Sequence, residues 1–356
     1  MMRRMRISIT SALLASLLLT ACAERKQDGT EASEQSGQDA SKIRIGITFD
    51  TFVLERWIRD RDVFVDTAQK MGAEVDVQTA NGDVQTQKEQ IRKFADENMD
   101  AIVVVATDCY LLTDEVEDAR EKGIPVISYD RLIQDVQTDL YVTVDSEAVG
   151  MLMAQNIQDN LPDGGNVVMI CGPEMDSNSA DIVNGFENSL QDGSWNVIYK
   201  GYVESWAAEN SVKVVADAFA GTDGRIDAIM CGNDGLAGYA IRSLSERQLA
   251  GDVVVVGQDA DLEACQRIVE GTQSMTVYKP INDLARTAAE YTVNLARDGV
   301  LSGSDSPESD VKETEDGHAV PYVGLEPVAV TAENMDSVIV DSGFHSREEV
   351  YLNVGN

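Results

Sequence analysis

The sequence predicts an α/β protein made of two doubly wound parallel sheets, each in a lobe of its own. From residue 42 onward, short apolar runs alternate with segments in which apolar residues recur at helical spacing. This order is typical of βαβ units and parallel sheets. More of these units follow one another than one small sheet accommodates. The chain has 356 residues and 43% hydrophobic content, which supports more than one core.

The first half of the chain begins with an apolar run at 43–48, which predicts a strand. Apolar residues at helical spacing then predict a helix over 55–71. The same reasoning predicts strands at 74–79, 101–106, 124–129 and 141–144, and helices at 84–97 and 112–122. The last of these helices ends before Gly123 and Pro125, since neither residue readily continues a helix.

The same order repeats after residues 145–149, where the two halves change over. The pattern predicts helices at 148–160, 180–190, 207–219 and 236–248, and strands at 166–171, 196–203, 227–231, 253–256 and 274–277. Residues 302–317 are acidic and rich in serine, which predicts an exposed hairpin or loop. This segment lacks the carboxylate spacing of a calcium-binding loop, so no calcium site is expected there.

The first residues predict export. Three arginines within residues 1–6 precede a mostly apolar run at 7–19. This arrangement is typical of a secretory signal peptide over 1–21, and the run is too short to span a bilayer comfortably. Leu19-Thr20-Ala21-Cys22 resembles a bacterial lipobox, in which cleavage leaves Cys22 as a lipidated N-terminus. An ordinary signal peptide with an incidental Cys22 is the alternative.

Residues 22–42 are predicted to be the lipidated cysteine and a flexible tether. The stretch 23–41 has no aromatic or β-branched aliphatic residue and many Glu, Gln, Ser, Gly and Asp residues. It therefore buries too little apolar surface to offset chain entropy. The rest of the chain is expected outside the cytoplasm as a membrane-anchored lipoprotein, in the periplasm or on the outer face of the cytoplasmic membrane.

The charge and the reactive residues exclude several classes of function. The net charge is −34, and losing the three arginines of the signal peptide makes it −37; this argues against nucleic acid and anionic lipid as partners. No zinc-type spacing, nucleophile elbow or phosphate-binding loop occurs, so no metal, cofactor or catalytic residue is predicted. Buried thiols are expected, with a disulfide of unassigned pairing as the alternative, for Cys109, Cys171, Cys231 and Cys265.

Polar side chains follow the carboxyl ends of most predicted strands, where doubly wound sheets bind their ligands. They are Asp, Asn, Gln, Arg, Lys and Trp, a mixture that suits a sugar. Carboxylates accept hydrogen bonds from hydroxyls, arginine donates in a fixed fork, and an indole face packs on the C–H face of a ring. For Asn233 or Asp259 alone, an ordinary helix cap or turn is the alternative, but the recurrence at strand ends favours a binding site.

Four motifs resemble a known family. They are LERWIRDRDVF (54–64), SYDRLI (128–133), GQDADL (257–262) and GTQSMTVYKP (271–280). Together they are similar to the bacterial periplasmic D-xylose-binding proteins, the sugar-binding components of ABC transporters, and the likeness covers nearly all of 42–350. The resemblance implies the type I periplasmic-binding-protein fold, with two lobes joined by a three-segment hinge. The implied lobes are an N-terminal one at 43–147 plus 280–326 and a C-terminal one at 148–279 plus 327–356.

Matching positions imply the ligand-binding residues. The resemblance implies sugar contacts from Arg56, Asp130, Arg131, Asn178, Asn233, Asp259 and Lys279, with Trp57 and Trp206 flanking the ring. One departure concerns 176–180, which reads Asp-Ser-Asn-Ser-Ala where the family often has Asp-Asn-Asn-Ala-Lys. Ala180 in place of lysine is expected to free space for glucose, so both D-xylose and a close monosaccharide stay open as the ligand.

The implied function is binding of D-xylose between the lobes and delivery to the permease and ATPase subunits of an ABC importer. A sugar-sensing receptor that presents its ligand-bound form to a chemoreceptor or sensor kinase is the alternative. A DNA-binding regulator of the lac-repressor type is disfavoured by the signal peptide and the acidic charge. Glycoside hydrolysis is disfavoured because arginine and lysine beside the carboxylates lower the pKa that a general acid needs raised.

Overall fold

The computed structural model describes residues 42–354 except 192, 222–224 and 302–310. The predicted signal peptide, Cys22 and almost all of the predicted tether lie outside these residues, as does much of the acidic segment. In the part of the chain that is described, no helix is both long and apolar enough to cross a membrane. The described remainder of the acidic segment forms a strand and a turn, which confirms the hairpin prediction for 311–317.

Seven of the described strands form the first sheet, in the order β11-β12-β5-β4-β3-β1-β2. Neighbouring strands in it are parallel except for the antiparallel hairpin of β11 and β12. Its strands are β1 (Ile43–Phe49), β2 (Ala73–Thr79), β3 (Ala101–Val104), β4 (Val126–Tyr129), β5 (Leu140–Val144), β11 (Val311–Glu313) and β12 (Ala319–Leu325). We call the lobe built on this sheet the N-terminal lobe.

The second sheet contains six of the described strands, in the order β13-β10-β9-β8-β6-β7. Only β13 runs antiparallel to its neighbour among them. The strands are β6 (Gly165–Cys171), β7 (Trp195–Tyr202), β8 (Ala228–Cys231), β9 (Val254–Gln258), β10 (Met275–Tyr278) and β13 (Val328–Val330). We call the lobe built on this sheet the C-terminal lobe.

Helices connect the parallel strands, as the alternating pattern predicts. They are α1 (Glu55–Lys70), α2 (Val84–Asp96), α3 (Thr113–Glu121), α4 (Ser146–Asn160), α5 (Ser177–Ser189), α6 (Ser211–Gly221), α7 (Asp234–Ser245), α8 (Leu262–Glu270), α9 (Ile281–Asp298) and α10 (Arg347–Val350). The helix predicted at 207–219 starts later than expected. Ser205 and Trp206 have φ near +54°, and a separate 3₁₀ turn at Ala208–Asn210 precedes α6.

Each sheet has its own core. Ile45, Ile47 and Phe49 of β1 are buried against α1 and α9 in the N-terminal lobe. Met153 of α4 and Phe186 of α5 are buried in the C-terminal lobe. The predicted buried thiols are confirmed, since the four described cysteines are buried and no disulfide joins any of them.

The chain passes between the sheets three times, after β5, after β10 and after β12. This connectivity confirms the predicted fold of two doubly wound lobes joined by a three-segment hinge. The exact residue boundaries of the two lobes stay a prediction.

Candidate functional site

The carboxyl ends of strands from both sheets border one cavity of about 860 Å³. Its walls include Asp50 after β1, Arg131 after β4, Asp176 after β6, Asn233 after β8 and Asp261 after β9. This is the position at which doubly wound sheets bind ligands. The cavity is large enough for a small-molecule site.

Arg56 lies in the first turn of α1 and is buried. One guanidinium nitrogen, Nη2, donates to Asp130 Oδ1 at 2.8 Å and lies 3.5 Å from Asp60 Oδ1, while Nη1 lies 3.9 Å from Asp259 Oδ1. Burial alone would lower the pKa of Arg56, but the three carboxylates raise it well above its ordinary value. Arg56 is therefore a fixed cation that joins carboxylates of both lobes.

Asp130 directly follows β4 and has a φ of +66°. Its carboxylate accepts hydrogen bonds from side chains of both lobes. Besides Arg56, it receives a hydrogen bond from Asn178 Nδ2 at 2.9 Å. Asn178 lies in the first turn of α5, where Asp176 caps the helix. Burial would raise the pKa of Asp130, but Arg56, Lys279 and Arg131 hold it below its usual value. Asp130 is thus an ionised acceptor between the lobes.

Arg131 makes a second connection across the cleft. Its Nη1 donates to Asp50 Oδ2 at 2.9 Å within its own lobe, and its Nε lies 2.9 Å from Asp176 Oδ2 of the other lobe. The same Asp176 oxygen accepts from Trp206 Nε1 at 3.1 Å. Asp176 therefore orients the indole of Trp206, which lines the cavity. A Cβ at Gly172 would lie 2.2 Å from that indole, so the ring depends on glycine there.

Asp259 and Lys279 form the third part of the site. Lys279 Nζ lies 3.3 Å from Asp259 Oδ1, and both side chains are at least nine-tenths buried. Arg56 Nε and Asp259 Oδ1 are buried and make no hydrogen bond among the described residues. A buried polar atom without a hydrogen bond is costly, and a ligand that donates to Asp259 and accepts from Arg56 would satisfy both atoms.

The structure thus gathers most of the predicted ligand-binding residues. Six of them are buried near one another: Arg56, Asp130, Arg131, Asn178, Asp259 and Lys279. Trp206 and Asn233 line the cavity, and Asn233 also caps α7 by accepting from Leu236 N at 2.9 Å. The helix-cap interpretation of Asn233 therefore holds alongside its position on the cavity wall.

Trp57 occupies a different environment. Its side chain is 1% exposed, packs against Phe49 in the core of the N-terminal lobe, and carries the Arg56 guanidinium 4.2 Å above its ring. Trp57 is not among the residues that line the cavity, and neither are the buried site residues Arg56, Asp130, Asn178, Asp259 and Lys279. Its packing places Trp57 behind Arg56, where it supports the cation. A role in flanking a sugar ring stays a prediction.

Ala180 is exposed on α5 and does not line the cavity. Alanine in place of the family's frequent lysine therefore does not widen the cleft, and the expectation that it frees space there is wrong. The physical reason is position. Asn178 is buried at the start of α5, whereas a residue two positions further along lies on another side of the helix.

Sequence reasoning missed the residues that hold the site residues in place. Asp60 accepts a hydrogen bond from Tyr129 OH and contacts Arg56, which lies one helical turn before it. Burial raises the pKa of Asp60 to about 6 against the opposing effect of Arg56. The four-residue spacing of Arg56 and Asp60 on α1 was the available signal. Asp176 and Asp50 also follow strands, which was the signal for them.

In the described ranges, no group of three or more His, Cys, Asp or Glu side chains is arranged to hold a metal ion. The carboxylates of the site instead lie against arginine, lysine and asparagine side chains. Such a set of charged donors and acceptors suits a neutral, hydroxyl-rich ligand, because each hydroxyl both donates and accepts.

Comparison with known proteins agrees with this geometry. Residues 45–299 match a family model described as a periplasmic binding protein domain. A D-xylose-binding periplasmic protein of Haemophilus influenzae is 37% identical over 320 residues, which is 89% of this chain and 94% of the relative. A protein of the same name from Escherichia coli is 36% identical over 315 residues, 87% of this chain and 93% of the relative.

A solved structure also has this fold. An ABC transporter solute binding protein from Clostridium phytofermentans, with bound β-D-glucose, aligns with a TM-score of 0.78 and 26% sequence identity. The alignment covers 86% of this chain and 99% of that chain.

Proposed function

The chain belongs to the periplasmic binding proteins, and on that premise we propose that it binds D-xylose between its lobes and delivers it to an ABC importer. The family consists of extracytoplasmic solute-binding proteins rather than enzymes. The H. influenzae and E. coli relatives are named for D-xylose, which favours a pentose over the glucose bound in the C. phytofermentans structure.

One observation carries the proposal: buried charged groups of both lobes meet between the carboxyl ends of the two sheets. Arg56 and Asp130 come from the N-terminal lobe, whereas Asn178, Asp259 and Lys279 come from the C-terminal lobe. Sugar hydroxyls placed among them would exchange side-chain partners for charge-assisted hydrogen bonds. The indole of Trp206 on the cavity wall supplies an apolar face for the ring.

Closure of the lobes is the mechanism we propose. Asn178 donates to Asp130, and Arg131 pairs with Asp176, so the two lobes already touch directly through side chains beside the site. A sugar that contacts both lobes binds the closed form better than an open one and shifts the population toward it. The closed form is then the species that a permease distinguishes.

The deciding experiment is isothermal titration calorimetry of the purified chain with D-xylose and D-glucose. We expect D-xylose to bind at least about tenfold more tightly, a difference of about 1.4 kcal/mol. A misplaced hydroxyl, or an added hydroxymethyl group, leaves a buried charged group unpaired. Equal affinities would indicate a broad monosaccharide binder, and no heat with either sugar would refute the D-xylose proposal.

We also propose that Cys22 is lipidated and anchors the protein outside the cytoplasm, on the strength of the sequence Leu19-Thr20-Ala21-Cys22. Replacing Cys22→Ser should abolish incorporation of labelled palmitate, and should either release the protein from the membrane fraction or block processing of the signal peptide. Cys109→Ser is the matched control, since that thiol is buried in the fold. Equal membrane partitioning and labelling of the Cys22 variant and the parent would contradict the anchor.

A further inference from the structure

The loop at 258–261, which joins β9 to α8, has an unusual backbone. Asp259 has φ +98° and Ala260 has φ +53°. Both values lie in the left-handed region that residues other than glycine rarely adopt. Such a conformation persists only where surrounding contacts determine it, and it often occurs at functional sites. Because Asp259 is one of the buried site residues, the contacts that impose this conformation also shape the site.

The buried carboxylate of Asp234, at the start of α7, holds one side of the loop. Its Oδ2 accepts from the backbone N–H of Asp261 at 3.1 Å and from Thr276 Oγ1 at 2.7 Å. Thr276 Oγ1 in turn accepts from the backbone N–H of Ala260 at 3.1 Å. Two consecutive amides of the loop are thus fixed by one carboxylate and its hydroxyl partner.

The second carboxylate oxygen is also held. Asp234 Oδ1 accepts from Gln273 Nε2 at 2.8 Å. A Cβ at Gly257 would lie 2.3 Å from this oxygen, so the strand leading into the loop passes too close for any side chain. The carboxylate is therefore enclosed by donors and by backbone, and it has little freedom to move.

Contacts on the other side complete the arrangement. His345 Nε2 lies 2.8 Å from the carbonyl oxygen of Ala260, and the Asp259 N–H donates to Val277 O at 2.9 Å. With these bonds in place, the Asp259 carboxylate lies 3.3 Å from Lys279 and 3.9 Å from Arg56. The orientation of Asp259 toward both cations thus depends on groups that are not themselves among the predicted sugar contacts.

We propose that Asp234 is a positioning residue for ligand binding, which holds the loop at 258–261 so that the Asp259 carboxylate meets Arg56 and Lys279. This inference rests on the proposed sugar-binding function only in that Asp259 contacts the ligand. The structural part, that Asp234 fixes the amides of Ala260 and Asp261, is testable without any sugar.

Asp234→Asn is the informative change. It keeps the shape of the side chain but turns one acceptor oxygen into an NH2 group. In either orientation that group faces a donor, which is Gln273 on one side or Thr276 and the Asp261 amide on the other. We expect D-xylose affinity to fall at least about tenfold by calorimetry. In the sugar-free protein, we expect faster hydrogen exchange at the amides of Ala260 and Asp261.

Asp227→Asn is the matched control. Asp227 also accepts from a backbone amide, that of Asn166 at 2.9 Å, but it lies at the opposite end of β8. This variant should bind D-xylose as the parent does. Thr276→Val and Thr276→Ser form a second pair, in which valine should reproduce the effect of Asp234→Asn and serine should restore affinity. If Asp234→Asn does not fold, the two Thr276 variants test the proposed positioning role instead.

A double-mutant cycle separates positioning from general destabilisation. If Asp234 acts through Asp259, Asp234→Asn should weaken D-xylose binding by less than about threefold once Asp259→Ala is present. The same loss in both backgrounds would overturn the inference, as would unchanged affinity and unchanged exchange at Asp261. Absence of sugar binding by the parent chain would refute the proposed function alone, and the exchange measurement would then decide the role of Asp234.

Discussion

The two lobes form their halves of the site by different means. In the N-terminal lobe, buried side chains hold the two arginines of the site. Arg56 pairs with Asp60 and Asp130. Arg131 pairs with Asp50. In the C-terminal lobe, the site side chains are presented at helix starts and in a loop. There, Asn178 lies in the first turn of a capped helix, and Asn233 and Asp259 lie at a helix cap and in a left-handed loop, respectively.

This difference separates stability from recognition. Charges that neutralise one another inside a lobe are coupled to its folding, because removing one partner leaves another buried and unpaired. Groups presented by helix starts and by the loop at 258–261 are placed by helix caps and by the contacts of Asp234 and Thr276, so losing one of the presented side chains costs the fold less. Substitution of Arg56 or Arg131 should therefore reduce both stability and affinity, whereas substitution of Asn178, Asn233 or Trp206 should reduce mainly affinity.

The largest effect is expected for Arg56→Ala. This change leaves the carboxylates of Asp60, Asp130 and Asp259 without their shared cation. We expect the free energy of unfolding to fall by about 3–5 kcal/mol and D-xylose binding to be lost, measured by urea denaturation and calorimetry. Arg286→Ala is the control, since its pair with Asp283 is exposed and is worth about 0–1 kcal/mol. An Arg56 variant with unchanged stability would contradict the division between the lobes.

A second test of the comparison uses Asp60, which belongs to the N-terminal lobe and touches no predicted sugar contact except Arg56. Its pKa is about 6 in the folded protein, above the ordinary value of 3.8, because it is buried. Between these two values the folded state holds a proton that the unfolded state has released. Stability from this group is therefore complete below about pH 4 and is lost as the pH rises to about 6.

Asp60→Asn removes that dependence. The variant should gain stability relative to the parent by about 3 kcal/mol as the pH rises from 4 to 6, and the difference should be constant above that range. Urea denaturation of both proteins across this pH range measures it, and the effects of other carboxylates cancel in the difference. Parallel curves for the two proteins would show that Asp60 does not retain a proton in the folded state.

The lobes also differ in what their sequence reveals. The alternation of strands and helices in the sequence was enough to predict the two parallel sheets, because this alternation can be recognised from hydrophobic periodicity. Strand ends indicated the edge at which Arg131 and Asn233 lie, since the carboxyl ends of parallel strands meet there, whereas their roles as sugar contacts were implied by the family resemblance. Sequence could not place Trp57, however. Its neighbour Arg56 faces the site while the indole enters the core, and which side chain of adjacent helical residues turns inward depends on packing.

Backbone irregularities were the other limit. The predicted helix at 207–219 ignored the left-handed residues Ser205 and Trp206, which delay α6 until Ser211. No periodic pattern marks such positions, because neither residue is glycine and the conformation depends on tertiary contacts. Asp234 was missed for a similar reason, since its bonds to Thr276 and Asp261 join positions far apart in the sequence.

The smallest effect is expected in the C-terminal lobe, at Trp206. Trp206→Ala removes a half-buried indole from the cavity wall, and we expect D-xylose binding to weaken by about 1–3 kcal/mol through lost apolar contact. The free energy of unfolding should change little, in contrast to Arg56→Ala. Calorimetry and urea denaturation of the same preparation measure both quantities.

Trp206→Phe divides this effect into its two sources. Phenylalanine keeps an aromatic face but loses the indole N–H that donates to Asp176 at 3.1 Å. Affinity close to that of the parent would assign the loss in the alanine variant to the aromatic face. Affinity close to that of Trp206→Ala would assign it to orientation by Asp176, which also pairs with Arg131 across the cleft. Should both variants bind D-xylose as the parent does, Trp206 contacts no sugar, and recognition depends on the charged groups alone.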